Sequence, residues 1–204
     1  MEVLVIVESN FLFDVCLSRN QNSGHLMKLA TAGKIKIAIP EYSLAEVDGR
    51  ASILLRERKK KLKESISLMN ELSRSDYNKE YSLNARDNLN ALLSLIENEK
   101  RINYETIDSI RSLCILIPHT PEIYIKAKLR DLSSKPPYKF NDCRIYSSIR
   151  DFARENKNNY KIIFLTKDRD DFDYEEIHKE LNDLGVKLMF SSGDCVQEVM
   201  RLID

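Results

Sequence analysis

Short apolar segments alternate with helical segments along this chain of 204 residues. The strand candidates are Glu2–Val7, Lys34–Ile39, Tyr160–Leu165 and Val186–Phe190. Runs of about four to eight residues rich in Val and Ile are typical of buried strands. Strands that alternate with helices predict parallel pairing through right-handed crossovers. We therefore expect an α/β fold, a three-layer α/β/α sandwich around a central parallel sheet.

The remaining periodic segments predict helices, and Ser23 with Gly24 predicts a break between the first two. The stretch at about residues 57–117 has no strand pattern and no repeat. We interpret the chain as a single domain over residues 1–204, with a helical insertion at about residues 57–117. The predicted helices are Asn10–Arg19, His25–Ala32, Glu41–Ser73, Tyr81–Asn98, Tyr104–Leu116, Pro121–Leu132, Asn141–Asn156, Glu175–Leu184 and Asp194–Leu202.

Four acidic residues lie where predicted elements begin or end. Glu8 follows the first strand and Asp168 follows the strand Tyr160–Leu165, whereas Glu46 and Asp142 lie in the first turns of helices. In open α/β sheets, ligand sites gather outside the carboxyl ends of the strands. Carboxylates held in one crevice repel each other unless a cation lies between them. The four acids together indicate a metal site, although any one of them taken alone is more typical of a helix cap.

Charge is balanced over the whole chain, with 32 basic and 32 acidic residues, but it is unevenly distributed. Residues 168–183 contain eight acids and two basic residues, a net charge of −6, whereas residues 50–64 carry a net charge of +5. A basic segment together with a metal site suits a polyanionic partner, and a solvated helix face is the alternative. We predict that nucleic acid binds to the basic stretch, which consists of Arg50, Arg56, Arg58, Lys59, Lys60, Lys61 and Lys63.

Several other classes of site have no sequence support. The four cysteines are far apart and form no zinc or disulfide pattern. Neither a nucleophilic serine motif nor a glycine-rich phosphate loop occurs. No apolar run is long enough for a membrane span and no signal peptide is evident, so we expect a soluble, cytoplasmic protein. We interpret three scattered histidines as surface or capping residues, and three tyrosines of the middle region as partly buried: His25, His119, His178, Tyr77, Tyr81 and Tyr104.

Four motifs in order carry a resemblance to a known family: "VIVESNFL", "PEYSLAEV", "FNDCRIY" and "FLTKDRDDF". The chain resembles the PIN-domain nucleases over about residues 1–50 and 118–204. These nucleases have an acid and an Asn after the first strand, a Glu on the helix after the second, an Asp that opens a later helix, and a final "TxD" motif. Glu8 stands where the family normally has Asp. One extra residue in the last motif leaves Asp170 and Asp171 as alternative auxiliary acids.

The resemblance implies divalent-metal-dependent hydrolysis of phosphodiester bonds, and we expect an endoribonuclease acting on single-stranded or structured RNA. Mg²⁺ or Mn²⁺ suits such a site because both prefer oxygen ligands. Small PIN proteins include ribonuclease toxins, so the candidate partners are RNA, an antitoxin or other protein, and a second copy of the chain. The resemblance assigns catalysis and metal binding to Glu8, Glu46, Asp142 and Asp168, further metal binding to Asp170 or Asp171, and site-shaping roles to Asn10 and Thr166.

Two alternatives remain open at the level of sequence. A catalytically inactive PIN-like module that binds RNA or protein is consistent with the longer Glu8 side chain. A TOPRIM-type nuclease would also have a Glu after its first strand and an Asp-x-Asp motif, here Asp168 and Asp170. The TOPRIM alternative leaves Asn10, Glu46 and Asp142 unexplained.

Overall fold

The computed structural model describes residues 1–17 and 19–203, apart from the side chain of Glu97. In this part of the chain the strands are β1 (Glu2–Val7), β2 (Lys36–Pro40), β3 (Ile115–Ile117), β4 (Tyr160–Leu165) and β5 (Val186–Met189). The helices are α1 (Ser9–Cys16), α2 (Gln21–Thr31), α3 (Glu41–Leu72), α4 (Lys79–Leu113), α5 (Pro121–Leu132), α6 (Phe140–Asn156), α7 (Arg169–Phe172), α8 (Glu175–Asn182) and α9 (Ser192–Ile203).

All pairings in the five-stranded sheet are parallel, and the strand order is β3-β2-β1-β4-β5. This confirms the predicted α/β architecture with a central parallel sheet. The chain adds β2 and β3 on one side of β1 and then crosses to the other side for β4 and β5. The carboxyl ends of β1 and β4 therefore meet at a topological switch point, where open α/β sheets form their ligand crevices.

Both faces of the central strand β1 are buried. Leu4 and Ile6 belong to one core cluster together with apolar residues of α6 and α8, including Ile149 and Ile177. Successive side chains of a strand point to opposite faces, so Val5 contributes to the other face, where α9 contacts β1. Covering helices on both faces explain why the strands are nearly continuous apolar runs rather than alternating ones.

The predicted boundaries are wrong in the middle of the chain. The predicted helices Tyr81–Asn98 and Tyr104–Leu116 form the single helix α4, because no Gly or Pro interrupts residues 99–103. Residues after Leu113 leave the helix and form β3, in which Ile115 pairs with Ala38 of β2. A three-residue strand is defined by this long-range pairing rather than by its own sequence.

The first two helices also begin earlier than predicted. Asn20 caps α2 by accepting hydrogen bonds at Oδ1 from the backbone amides of Asn22 (2.9 Å) and Ser23 (3.3 Å). Gly24, predicted as a break, therefore lies inside α2. Helix α1 begins at Ser9 and ends at Cys16, and position 18 of the predicted helix Asn10–Arg19 lies outside the described residues.

The structure divides into two compact units. The first comprises Met1–Val47 and Asp108–Asp204 and contains the whole sheet. The second is Asp48–Ile107, formed by parts of α3 and α4, with Ala51, Leu55 and Ile107 among its buried residues. Glu8, Glu46, Asp142 and Asp168 belong to the first unit, whereas the basic stretch belongs to the second. No helix within residues 1–17 and 19–203 is long and apolar enough to cross a membrane.

Candidate active site

Glu8 is held in a fixed position at the carboxyl end of β1. It caps α1, and its Oε2 accepts a hydrogen bond from the backbone amide of Asn10 at 2.9 Å. Its Oε1 accepts one from the hydroxyl of Thr166 at 3.3 Å. Only 4% of Glu8 is exposed. The two residues predicted to shape the site, Asn10 and Thr166, therefore both contact the Glu8 carboxylate.

Thr166 also connects Glu8 to Asp168. The backbone amide of Asp168 donates a hydrogen bond to Thr166 Oγ1 at 3.1 Å. Asp168 is the N-cap of the short helix α7, because its Oδ1 accepts from the backbone amide of Asp171 at 3.1 Å. The end of β4 thus presents the Asp168 carboxyl group beside Glu8, whose pKa responds to the Asp168 charge.

Glu46 is oriented by a residue that the sequence analysis did not select. The hydroxyl of Ser9 donates a hydrogen bond to Glu46 Oε2 at 2.6 Å. Ser9 is buried and opens α1 directly after Glu8, so one backbone segment positions two of the predicted acids. The sequence feature that could have identified Ser9 is its position between Glu8 and Asn10, two residues predicted to belong to the site.

Asp142 lies in the first turn of α6 and shares a region of negative potential with the other acids. Burial raises its pKa to about 6, and the charges of Asp171, Asp168 and Glu46 add to the effect. Lys139 acts in the opposite direction. Asp142 therefore interacts electrostatically with acids on α3 and at the end of β4, which places segments distant in sequence in one neighbourhood.

The two candidate auxiliary acids of the last motif, Asp170 and Asp171, differ in burial. Asp171 is 5% exposed and forms an ion pair with Lys139 Nζ, whereas Asp170 is exposed. Asp171 also raises the pKa of Asp168, after the larger effect of burial. Of the two alternatives, Asp171 is the one within the acid cluster, which we define as Glu8, Glu46, Asp142, Asp168 and Asp171. Lys139 is a second residue that the sequence analysis missed.

Burial is the largest cause of the raised pKa values of Glu8, Asp142 and Asp168. It raises the pKa of Glu8 to about 7, although the hydrogen bonds from Asn10 and Thr166 favour the ionised form. The charge of Asp168 raises the pKa of Glu8 further. Ionising the whole cluster is therefore unfavourable unless positive charge enters it.

The donor set of the acid cluster fits a hard divalent cation, because every side chain in it offers carboxylate oxygen. In the described conformation the carboxylates interact without forming a complete ligand cage. Among residues 1–17 and 19–203, no three His, Cys, Asp or Glu side chains are placed so that they could hold one metal ion.

The basic stretch has a different character. Its side chains are exposed except for Lys59, which is half-buried. Arg58 forms an ion pair with Glu99 at 3.4 Å, and Lys60 with Glu64 one turn later at 3.8 Å. Exposed pairs of this kind contribute little to stability. The tyrosines of this region, predicted to be partly buried, are also exposed: Tyr77, Tyr81 and Tyr104.

Comparison with known proteins places the chain in a family. The family model described as PIN domain matches residues 5–172, a range that contains the whole acid cluster. No curated protein matches the chain. Among solved structures, the chain is similar to one in the crystal structure of VapBC2 from Rickettsia felis bound to a DNA fragment from their promoter. That match has 15% sequence identity, covers 92% of this chain and 99% of the other, and has a TM-score of 0.43. Because the family match spans most of the sequence, the chain belongs to the PIN-domain family.

Proposed function

We propose that this protein is a divalent-metal-dependent nuclease of the PIN type, and that its substrate is RNA cleaved internally. The observation that carries the proposal is the buried Glu8 carboxyl group beside Asp168 at the switch point of the sheet. Burial and the Asp168 charge raise the pKa of Glu8 to about 7. A fold retains such an unfavourable arrangement of carboxylates where function requires it.

To hold Mg²⁺ or Mn²⁺, the carboxylates of Glu8, Asp142 and Asp168 would have to come closer together than in the described conformation, with Glu46 and Asp171 completing the negative surroundings. When bound, the cation supplies a more acidic water molecule and stabilises negative charge on the phosphate. Ser9 and Thr166 orient carboxylates through the hydrogen bonds described above. No covalent nucleophile on the protein is required.

Lys139 has a separate role in this proposal. Its ammonium group pairs with Asp171 and lowers the pKa of Asp142, so it offsets part of the negative charge that would otherwise repel a phosphodiester. The ammonium group is largely exposed, so solvent screens its interaction with Asp171. We expect Lys139 to affect substrate affinity more than metal affinity.

The test is a cleavage assay on three labelled substrates of the same sequence: single-stranded RNA, a hairpin RNA and single-stranded DNA. We expect RNA cleavage with Mg²⁺ or Mn²⁺ and none in EDTA. Cleavage of DNA but not RNA would overturn the substrate assignment. Cleavage that persists in EDTA would overturn the metal dependence.

A second candidate function is an inactive PIN-like module that binds RNA or a protein. It is favoured by the absence, within the described residues, of three side chains poised around one metal position. Calorimetric titration with Mn²⁺ distinguishes the two candidates, because a nuclease site binds the ion and Asp168→Asn removes that binding. A TOPRIM-type nuclease is not proposed, because the family model that matches residues 5–172 is a PIN domain. An antitoxin or a second subunit stays a prediction.

A further inference from the structure

A guanidinium group in the first unit is stacked on an aromatic ring and hydrogen-bonded to a histidine. The guanidinium carbon of Arg144 on α6 lies 3.7 Å from the ring centroid of Tyr42 on α3. Its Nε and Nη2 lie 3.2 and 2.9 Å from Nε2 of His119, between β3 and α5. The rings of Tyr42 and His119 are 5.7 Å apart. We call Arg144, Tyr42 and His119 the arginine cluster.

The protonation state of His119 follows from these contacts. Arginine has only donors, so Nε2 of His119 must accept and the imidazole must be neutral. Burial and the Arg144 charge both lower the pKa of His119. The backbone amide of His119 donates a hydrogen bond to Glu41 Oε2 at 3.0 Å, which connects the backbone at His119 to the start of α3. His119 is therefore a support for the guanidinium and is not predicted to act as a base.

Arg144 differs from the other arginines of the same helix. Arg150 pairs with Glu180 at 3.4 Å and Arg154 with Asp151 at 2.9 Å. Within residues 1–17 and 19–203, no carboxylate forms an ion pair with Arg144. Two hydrogen bonds to one imidazole nitrogen leave most N–H groups of the guanidinium available, and this planar set of donors matches the oxygens of a phosphate.

The arginine cluster and the acid cluster share two helices. Tyr42 lies one turn before Glu46 on α3, on the same side of the helix. Arg144 lies two residues after Asp142 in the first turns of α6, and Asp142 responds to the charge of Glu46. The starts of α3 and α6 thus each carry one residue of each cluster.

Two further aromatic rings lie near the guanidinium. The ring centroids of Tyr124 and Phe140 are 5.8 and 5.9 Å from the guanidinium carbon, and the two rings meet edge to face at 5.4 Å. Tyr124 is 47% exposed. An exposed aromatic ring beside a fixed cation suits a nucleotide, because the base can stack while its phosphate binds the guanidinium.

We propose that Arg144 and Tyr124 form a nucleotide-binding subsite, in which Arg144 binds a backbone phosphate of single-stranded nucleic acid and Tyr124 stacks on the neighbouring base. This subsite rests on the proposed function, since it would position the strand next to the acid cluster. Tyr42 and His119 are positioning residues that hold the guanidinium. The competing explanation is that Arg144 only connects α3, α5 and α6.

The binding experiment uses a labelled single-stranded RNA of about ten nucleotides and an Asp168→Asn background, which prevents cleavage. Arg144→Gln should weaken binding about ten-fold. It should also reduce the slope of log affinity against log salt concentration by the amount expected for about one phosphate contact. The matched control is Arg154→Gln, which removes an exposed arginine from the same helix and should change neither quantity. Equal affinity and equal salt slope for Arg144→Gln and its parent would overturn the subsite.

A purely structural role is tested with a second variant and a second probe. Tyr124→Ala removes a ring that is 47% exposed but packs edge to face on Phe140, so its unfolding temperature is measured alongside binding. It should weaken binding of the normal RNA several-fold, but not binding of the same strand made of abasic sugar phosphates. Equal loss on both probes, or no loss on either, would overturn the stacking role. If Arg144→Gln lowers stability, Arg144→Lys is measured instead, because it keeps the positive charge but lacks the planar set of donors. Wild-type RNA affinity of Arg144→Lys would overturn the role of that planar set in phosphate binding.

Failure of the subsite and failure of the proposed function are separable. If the wild-type protein cleaves RNA while Arg144→Gln binds normally, the nuclease stands and the subsite falls. If the wild-type protein cleaves nothing while binding depends on Arg144 and Tyr124, the subsite stands and the catalytic proposal falls.

Discussion

The acid cluster and the basic stretch are equally prominent in the sequence, yet the structure treats them in opposite ways. Glu8 and Asp171 are buried, held by specific partners, and part of a cluster in which burial raises pKa values. The basic side chains project from a long helix, and Arg58 and Lys60 form exposed ion pairs. A buried charge costs free energy, whereas an exposed one costs little. The burial of the acid cluster is therefore much stronger evidence of a function than the positive net charge of the basic stretch.

The largest expected effect comes from removing one negative charge from the acid cluster. Asp168→Asn keeps the size of the side chain but removes the charge that would hold a cation. We expect the rate of metal-dependent RNA cleavage to fall on the order of 10²-fold or more. The measurement is single-turnover cleavage at saturating Mn²⁺.

Asp170→Asn is the matched control, because Asp170 lies two residues away on α7 but is exposed. Its cleavage rate should stay near that of the wild-type protein. Equal losses in both variants would show that the contrast between buried and exposed acids carries no functional information. Unchanged cleavage by Asp168→Asn would remove Asp168 from the site.

The second prediction concerns stability and pH in the metal-free protein. The pKa of Glu8 is raised from 4.5 to about 7, so the unfolded state releases its proton first as the pH rises. The contribution of Glu8 to stability is full below pH 4.5 and is lost as the pH rises through about 7. Gln stays neutral throughout, so Glu8→Gln should gain about 2.5 kcal/mol relative to wild type between pH 5 and pH 8.

Urea unfolding in EDTA at the two pH values measures this difference. A lost hydrogen bond would shift Glu8→Gln by the same amount at both pH values, so the comparison isolates the ionisation. Asp142→Asn should show the same sign, since burial raises the pKa of Asp142 to about 6. A pH-independent difference for Glu8→Gln would mean that Glu8 ionises freely in the folded protein.

The parts of the fold that the sequence predicted are those encoded locally. β1, β4 and α5 were predicted with their observed ends. Apolar runs mark the two strands, and Thr120 followed by Pro121 marks the start of the helix. β3 was missed because three residues become a strand only by pairing with β2. The continuity of α4 was missed because a polar stretch without Gly or Pro was interpreted as a break.

The same distinction applies to the candidate site. The acids at strand and helix ends were recognisable because their positions are local. Ser9 and Lys139 were not, since each acts on a residue more than thirty positions away: Ser9 on Glu46, and Lys139 on Asp171. Arg144 gave no local signal at all, because its significance lies in the ring and the imidazole that surround it. Pairings between distant segments are set by packing, which single-sequence patterns do not encode.

The smallest expected effect concerns the basic stretch. Replacing Lys59, Lys60 and Lys61 by Gln removes three positive charges from a helix surface while keeping good helix formers. If the stretch follows the phosphate backbone of RNA, the triple variant should bind a long RNA several-fold more weakly and with a shallower salt dependence. Cleavage of a very short RNA should remain near the wild-type rate, because the acid cluster is unchanged.

Stability separates this outcome from damage to the fold. Surface substitutions of this kind usually change the free energy of unfolding by less than about 0.5 kcal/mol, so chemical unfolding should barely distinguish the triple variant from wild type. Wild-type affinity and wild-type salt slope on the long RNA would show that the basic stretch is only a solvated helix face. The substrate would then have to bind through other surfaces. The buried acid cluster would indicate function, whereas the exposed basic stretch would not.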